Sequence, residues 1–147
     1  MKNTRRLQPV IKMAQEKEQV AARELAAALS ALAAAEEKLA ELVSYREEYH
    51  QGLQFKSRNG LHAMQMKDFQ VFLGRLDAAI QQQQQVLVEL QAGIEKSRQT
   101  WQQKKRRLSA LDKLTLRQQR QEQQDEDRRE QGESNEHALR GWRQEVG

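Results

Sequence analysis

Apolar residues recur along two long stretches in alternating steps of three and four, the spacing that draws a seam down one side of an α-helix. In the first stretch Leu7, Ile11, Ala14, Ala21, Leu25, Ala28, Leu32, Ala35, Leu39, Leu42 and Tyr49 keep the phase, interrupted by Glu18 and Arg46. In the second, Phe69, Leu73, Leu76, Ile80, Leu87, Leu90, Ile94, Trp101, Leu108 and Leu111 do the same, interrupted by Gln83, Ser97 and Lys104. Asn59-Gly60 lies near the break between them. Two seams around one break predict an all-α fold, a long antiparallel two-helix coiled-coil hairpin with an overhanging C-terminal helix and tail.

The composition suits that narrow architecture. With 37% hydrophobic, 5% aromatic and 31% charged residues in 147, there is too little apolar material for a thick core. The single proline, Pro9, falls in the first turns of the first helix, where a missing N–H is tolerated, and no other proline interrupts either seam. No cysteine is present, so no disulfide framework or thiolate metal site is available, which fits a reducing compartment and a cytoplasmic location. The opening Met1-Lys2-Asn3-Thr4-Arg5-Arg6 leads into no apolar h-region, and no run of about 18 apolar residues occurs, so neither a signal peptide nor direct membrane insertion is expected. The net charge of +4 is mild, but cations cluster at Lys2, Arg5 and Arg6 and again at Lys104-Lys105-Arg106-Arg107.

Size complementarity suggests a register. If facing residues sum to about 115, with the turn at about 55–61 and centred on Ser57 and Arg58, most alanines meet a large partner. Ala14 then faces Trp101, Ala21 faces Ile94, Leu25 faces Leu90, Ala28 faces Leu87, Ala35 faces Ile80, Leu39 faces Leu76, Leu42 faces Leu73 and Leu7 faces Leu108. Glu18 meets Ser97, Ile11 meets Lys104 and Arg46 meets Phe69, their aliphatic stems lining the seam. The first arm covers the second only to about residue 111 in this scheme. The hairpin is expected to occupy residues 1–131, the second helix overhanging after about 111 and projecting roughly 30 Å if helical to residue 131. Gly132 is the expected stop, followed by a polar, frayed or disordered tail over 132–147, with Leu139, Trp142 and Val146 among its few large apolar residues. Disorder over 120–147 is the alternative.

Catalysis finds no candidate residues. The chain contains no Gly-x-x-x-x-Gly-Lys-Ser/Thr loop, no Gly-x-Gly-x-x-Gly turn and no Gly-x-Ser-x-Gly elbow, and a two-helix rod offers no water-excluding pocket. His50, His62 and His137 are too scattered for a metal site, and Asp125-Glu126-Asp127 lacks the alternation of a calcium loop. No cofactor, metal or enzymatic activity is expected. The pentaglutamine run Gln81–Gln85 stays in heptad phase and reads as solvated helix rather than an aggregation tract. Trp101 with Lys104 to Arg107 would suit nucleic acid, but Trp101 is in seam phase and reads as core. The cations remain, and with Arg5 and Arg6 they would form a positive collar at the end carrying both termini. Off the seam, Tyr45 joins Leu42 and Tyr49 in an i, i+3, i+7 set, and Phe72 lies level with Tyr45 on the second arm, followed by Leu76 and Ala79. An apolar aromatic patch flanking the rod reads either as wider seam packing of amphipathic rings or as a partner site, and the exposure of the rings favours the partner site.

Five segments stand in a specific order and spacing: Arg6-Leu7-Gln8-Pro9-Val10, Leu39 to Tyr49 with its Tyr45-x-x-x-Tyr49 pair, Asn59-Gly60, Phe69-Gln70-x-Phe72-Leu73-x-x-Leu76-Asp77-x-Ala79-Ile80 and Trp101-x-x-Lys104-Lys105-x-Arg107-Leu108. Together they resemble the FliJ family of flagellar export proteins over nearly the whole chain. The resemblance implies a coiled-coil stalk, similar to the central stalk of rotary ATPases, in the type III export apparatus. It would engage the hexameric export ATPase FliI, contact the membrane export gate FlhA and cycle export chaperones. It would be located in the cytoplasm, peripherally at the inner face of the cell membrane. The family's gate contact falls on Leu42, Tyr45, Tyr49, Phe72, Leu76 and Ala79. Lys38 and Gln83 depart from the glutamine and histidine associated with that motif. The terminal end, with Arg5, Arg6, Lys104, Lys105, Arg106 and Arg107, is the expected ATPase contact. The rival readings are a nucleic-acid-binding coiled coil and a homomeric scaffold; the export-stalk reading involves no nucleic acid.

Overall fold

The computed structural model describes residues 2–60 and 62–146, the side chains of Lys2 and Val146 excepted. It is all-α: helix α1 runs over Lys2–Arg58 and helix α2 over Ala63–Val146, with no strand among the described residues. Pro9 lies inside α1, past its first turn, so it removes the bond that its missing N–H would give the Arg5 carbonyl; the helix continues through it. The chain divides into two compact units. One is Ala21–Trp101; the other combines the segment ending at Val20 with the segment beginning at Gln102.

Within Ala21–Trp101 the two helices fold back as a hairpin, and the local chemistry of residues 59–62 explains where. Gly60 has φ of 92°, the left-handed conformation that only glycine adopts cheaply, and it stops α1. Just before it, the Asn59 N–H donates to the Lys56 carbonyl at 3.2 Å, and Asn59 Nδ2 donates to the Phe55 carbonyl at 3.2 Å. Lys56 and Arg58 place positive charge in the last turn, against the negative helix end. On the far side His62 is the N-cap of α2: its carbonyl accepts from the Met66 N–H at 3.0 Å. The His62 N–H in turn donates to Gln65 Oε1 at 3.4 Å, half of a capping box. Ser57 and Arg58, the expected centre of the turn, are therefore helical, because Gly60 sets the stop. Leu61, the end of the expected turn, lies outside the described residues.

That displacement changes the register. Gln83, only 7% exposed, donates its amide to the Ala35 carbonyl at 3.0 Å. Their numbers sum to 118, and the ring pairs Tyr45 with Phe72 and Tyr49 with Phe69 sum to 117 and 118. The pairing is thus one seam layer later than size matching suggests. Ala35 is level with Gln83 instead of Ile80, and in the same phase Ala28 is level with Leu90 and Ala21 with Ser97. Arg46 pairs with Asp77 rather than Phe69, its long side chain reaching beyond the facing layer. The core stays thin: Ala21, Ala35, Leu76 and Ile94 are its buried apolar members here.

In the other unit α2 stays in phase past Leu111, with Thr115, Gln118 and Glu122 each half-buried. Glu122 accepts from the Thr4 N–H at 3.3 Å and from the Thr4 hydroxyl at 2.9 Å. An α2 carboxylate thereby satisfies one of the unpaired amides in the first turn of α1. Coverage by the first arm reaches Glu122, not residue 111, and only from Gln123 to Glu145 is every side chain exposed. Gly132 is helical with no positive φ, so the expected stop is absent. The exposed stretch gains local i,i+4 support from Gln121 to Asp125 at 3.2 Å, Gln123 to Asp127 at 3.1 Å and Gln131 to Asn135 at 3.3 Å.

Candidate functional site

Four aromatic rings meet close to the hairpin turn. Tyr49 and Phe69 hold seam positions, and Tyr45 and Phe72 sit one residue ahead of the seam on their helices, so both flank residues emerge on one side. Tyr49 contacts Phe72 at 4.5 Å between centroids and Phe69 at 4.8 Å. Tyr45 meets Phe72 edge-on at 6.1 Å, with planes 83° apart, and Tyr49 at 6.4 Å. Such tilted and edge-to-face pairs are favoured by ring quadrupoles. Lys56 Nζ lies 5.2 Å from the Phe69 centroid and covers the tip side of the cluster.

The cluster is packed on its inner side and open on its outer one. Tyr45 is 49% exposed, whereas Tyr49, Phe69 and Phe72 are half-buried. Tyr49, one turn along α1, and Phe72 on α2 both contact the Tyr45 ring, so part of the side-chain freedom a partner would have to freeze is already restricted. Of the residues expected in this patch, Tyr45, Tyr49 and Phe72 are in mutual contact, and Leu42 and Ala79 are half-buried. Leu76, a seam residue as well as a member of the expected patch, is 7% exposed and belongs to the buried layer, because its seam position points at α1. Phe69 was legible as a seam residue, but the earlier register set it against Arg46 and hid its place among the rings.

The neighbouring polar residues divide by helix side. Arg46, adjacent to Tyr45 in sequence, hydrogen-bonds Asp77, and that bond together with the Asp77 charge holds the guanidinium above its ordinary range. Lys38 lies two turns before Tyr45 in the same heptad row and is exposed, so it can reach a partner of the aromatic face. Gln83 cannot, since its amide is committed to the Ala35 carbonyl inside the seam.

The basic residues of the other unit are more spread than a collar. Arg5, Arg6, Lys105, Arg106 and Arg107 are exposed, and Lys104 is half-buried in seam phase. With Thr4 bonded to Glu122, Arg5 and Arg6 are nearer in level to Lys113 and Arg117 than to Lys104–Arg107, which lie further back along α2. Trp101 is half-buried in seam phase, which suits core packing. Among the described residues no group of three His, Cys, Asp or Glu side chains could hold a metal ion, and no helix is long and apolar enough to cross a membrane.

The family model described as "Flagellar FliJ protein" matches residues 1–147. A flagellar FliJ protein of Salmonella typhi is 32% identical over 84 residues, which is 57% of this chain and 57% of that protein. The match therefore spans little more than half the length of that relative. No solved structure matches the chain.

Proposed function

This chain belongs to the flagellar FliJ family, and on that premise we propose that it is a non-enzymatic stalk of flagellar type III protein export. It joins the export ATPase FliI to the membrane gate FlhA and escorts export chaperones. The observation that carries the reading is the aromatic cluster: Tyr45 half-exposed over Tyr49 and Phe72, built from both helices near the turn. Such a face supplies the buried aromatic anchors that dominate protein interfaces. The gate contact is assigned to Tyr45, Tyr49 and Phe72 with Leu42, Ala79 and Phe69 around them. Leu76 supports them from the core.

The end of the chain carrying Arg5 and Arg6 on α1, and Lys104 to Arg107 on α2, is assigned to the ATPase, where cations steer docking onto an acidic surface. Work comes from ATP hydrolysis by the partner, and the peripheral location at the cell membrane follows from the gate. Tyr45→Ala with Phe72→Ala is expected to weaken binding to the gate's cytoplasmic domain at least tenfold with helicity unchanged; unchanged affinity rejects the assignment. Replacing Lys105, Arg106 and Arg107 by glutamine should lower stimulation of ATPase turnover, and undiminished stimulation rejects the ATPase contact.

A further inference from the structure

Helix α1 carries a second seam beside the one that meets α2. Ala26, Leu29, Ala33, Glu36, Ala40 and Val43 follow steps of three and four, each one residue after a position of the first seam, and all are exposed. A helix with one partner needs one apolar stripe; two adjacent heptad stripes are the pattern of a helix packed on two sides. The stripe lies on the flank away from Tyr45, the flank to which Arg46 reaches for Asp77. There Leu39, Ala40 and Val43 floor a shallow apolar groove between Glu36, Glu47 and Glu48, with Val43 48% exposed. On α2 the same flank offers exposed Val88 and the uncharged Gln81 and Gln84. The pentaglutamine run thus adds polar but neutral surface, leaving the α1 glutamates to set the sign of the groove.

We propose that this flank is a docking seat for a third helix, amphipathic and basic, contributed by another protein. Apolar side chains of the incoming helix would lie against Leu29, Ala33, Ala40 and Val43, and its lysines or arginines against Glu36, Glu47 and Glu48. The acidic rim selects against a second copy of the same flank, since like charges would then face each other across a partly desolvated seam. The proposal is independent of the gate assignment, which uses the opposite flank.

The test is fluorescence anisotropy of the full chain with a labelled peptide of about three heptads, leucine at a and d and lysine elsewhere, against the same peptide carrying glutamate for lysine. The lysine peptide should bind at physiological ionic strength and the glutamate peptide should not. Glu36→Gln with Glu47→Gln and Glu48→Gln, and separately Leu29→Gln with Val43→Gln, should each weaken binding about tenfold. Tyr45→Ala with Phe72→Ala should leave it unchanged. Equal binding of both peptides, indifference to both sets of flank variants, or loss only on changing Tyr45 and Phe72 would each overturn the proposal. So would a dimer of the free chain that Leu29→Gln with Val43→Gln dissociates, because the seat would then belong to a second copy.

Discussion

Up to Glu122, α2 turns a half-buried or buried side chain inward every three or four residues; from Gln123 to Glu145 every one is exposed. The same backbone geometry therefore rests on two different supports. The earlier part has a facing helix, a seam with Leu76 and Ile94 buried, and the Gln83 bond to Ala35. The later part has glutamine–aspartate and glutamate–arginine pairs at i,i+4, among them Arg140 with Glu136 at 4.0 Å, and such pairs contribute only tenths of a kcal/mol each. Helical form is thus no measure of stability along this chain. Where a partner helix buries apolar surface, the helix is held by tertiary packing; where none does, it is held only by its neighbours in sequence.

The sharpest way to break this contrast is a matched pair of truncations to alanine. Leu76→Ala, in the buried seam, should lower unfolding free energy by about 2–3 kcal/mol, whereas Leu139→Ala, on the exposed stretch, should change it by less than about 0.5 kcal/mol. Denaturant melts followed by circular dichroism would show it, and equal effects would mean that the later stretch is packed after all. Deleting residues 123–147 should reduce helical ellipticity in proportion to the residues removed while leaving Tm within about 2 °C; a large fall in Tm would place stabilising contacts in that stretch.

The buried amide gives the next largest effect. Gln83→Glu keeps the shape, and its protonated acid can still donate to the Ala35 carbonyl, while the ionised form sets a carboxylate against that oxygen. Burial and the carbonyl both raise the folded pKa of the new acid, so the variant should match the parent most closely below the ordinary glutamate range and lose stability as pH rises through and beyond it. A variant whose stability relative to the parent is flat between about pH 3 and 7 would show that the side chain has left the seam. Register itself can be read by oxidising paired cysteines: Ala28→Cys with Leu90→Cys should crosslink readily, and Ala28→Cys with Leu87→Cys slowly. The reverse order would restore the size-matched layers. The smallest expected change is at the start of α1, where Glu122→Ala should speed amide hydrogen exchange in the first turn and leave global stability unaltered.

The seams were legible from the sequence because a period of three and four survives even when about a third of the seam positions are alanine or polar. The exact facing was not, for two physical reasons. The stop of α1 depends on the φ that Gly60 adopts, which seam spacing does not encode. Size matching also favoured Ile80 opposite Ala35, whereas a small residue has a second use, leaving its carbonyl accessible to the long side chain of Gln83. One layer of error then separated Phe69 from Tyr49 and shortened the covered part of α2, so that the Thr4–Glu122 contact went unseen. The aromatic flank survived the error because Tyr45 and Phe72 sit one residue ahead of the seam on both helices, and a shift of one layer leaves them on the same side. Helicity beyond Gly132 was hidden for a different reason: glutamine- and arginine-rich sequence has good helix propensity but no periodicity to announce it.

The acceptor of the Gln83 bond belongs to the main chain, and every residue type has the same one. No substitution at position 35 deletes that oxygen; a bulkier side chain there can only obstruct the approach to it. Scanning mutagenesis would therefore find a donor with no matching hit on the other arm, and a double-mutant cycle would have no second member to close on. Across related chains the lock would register as a tolerance for small residues at one position, with no charge or amide to pair with the glutamine.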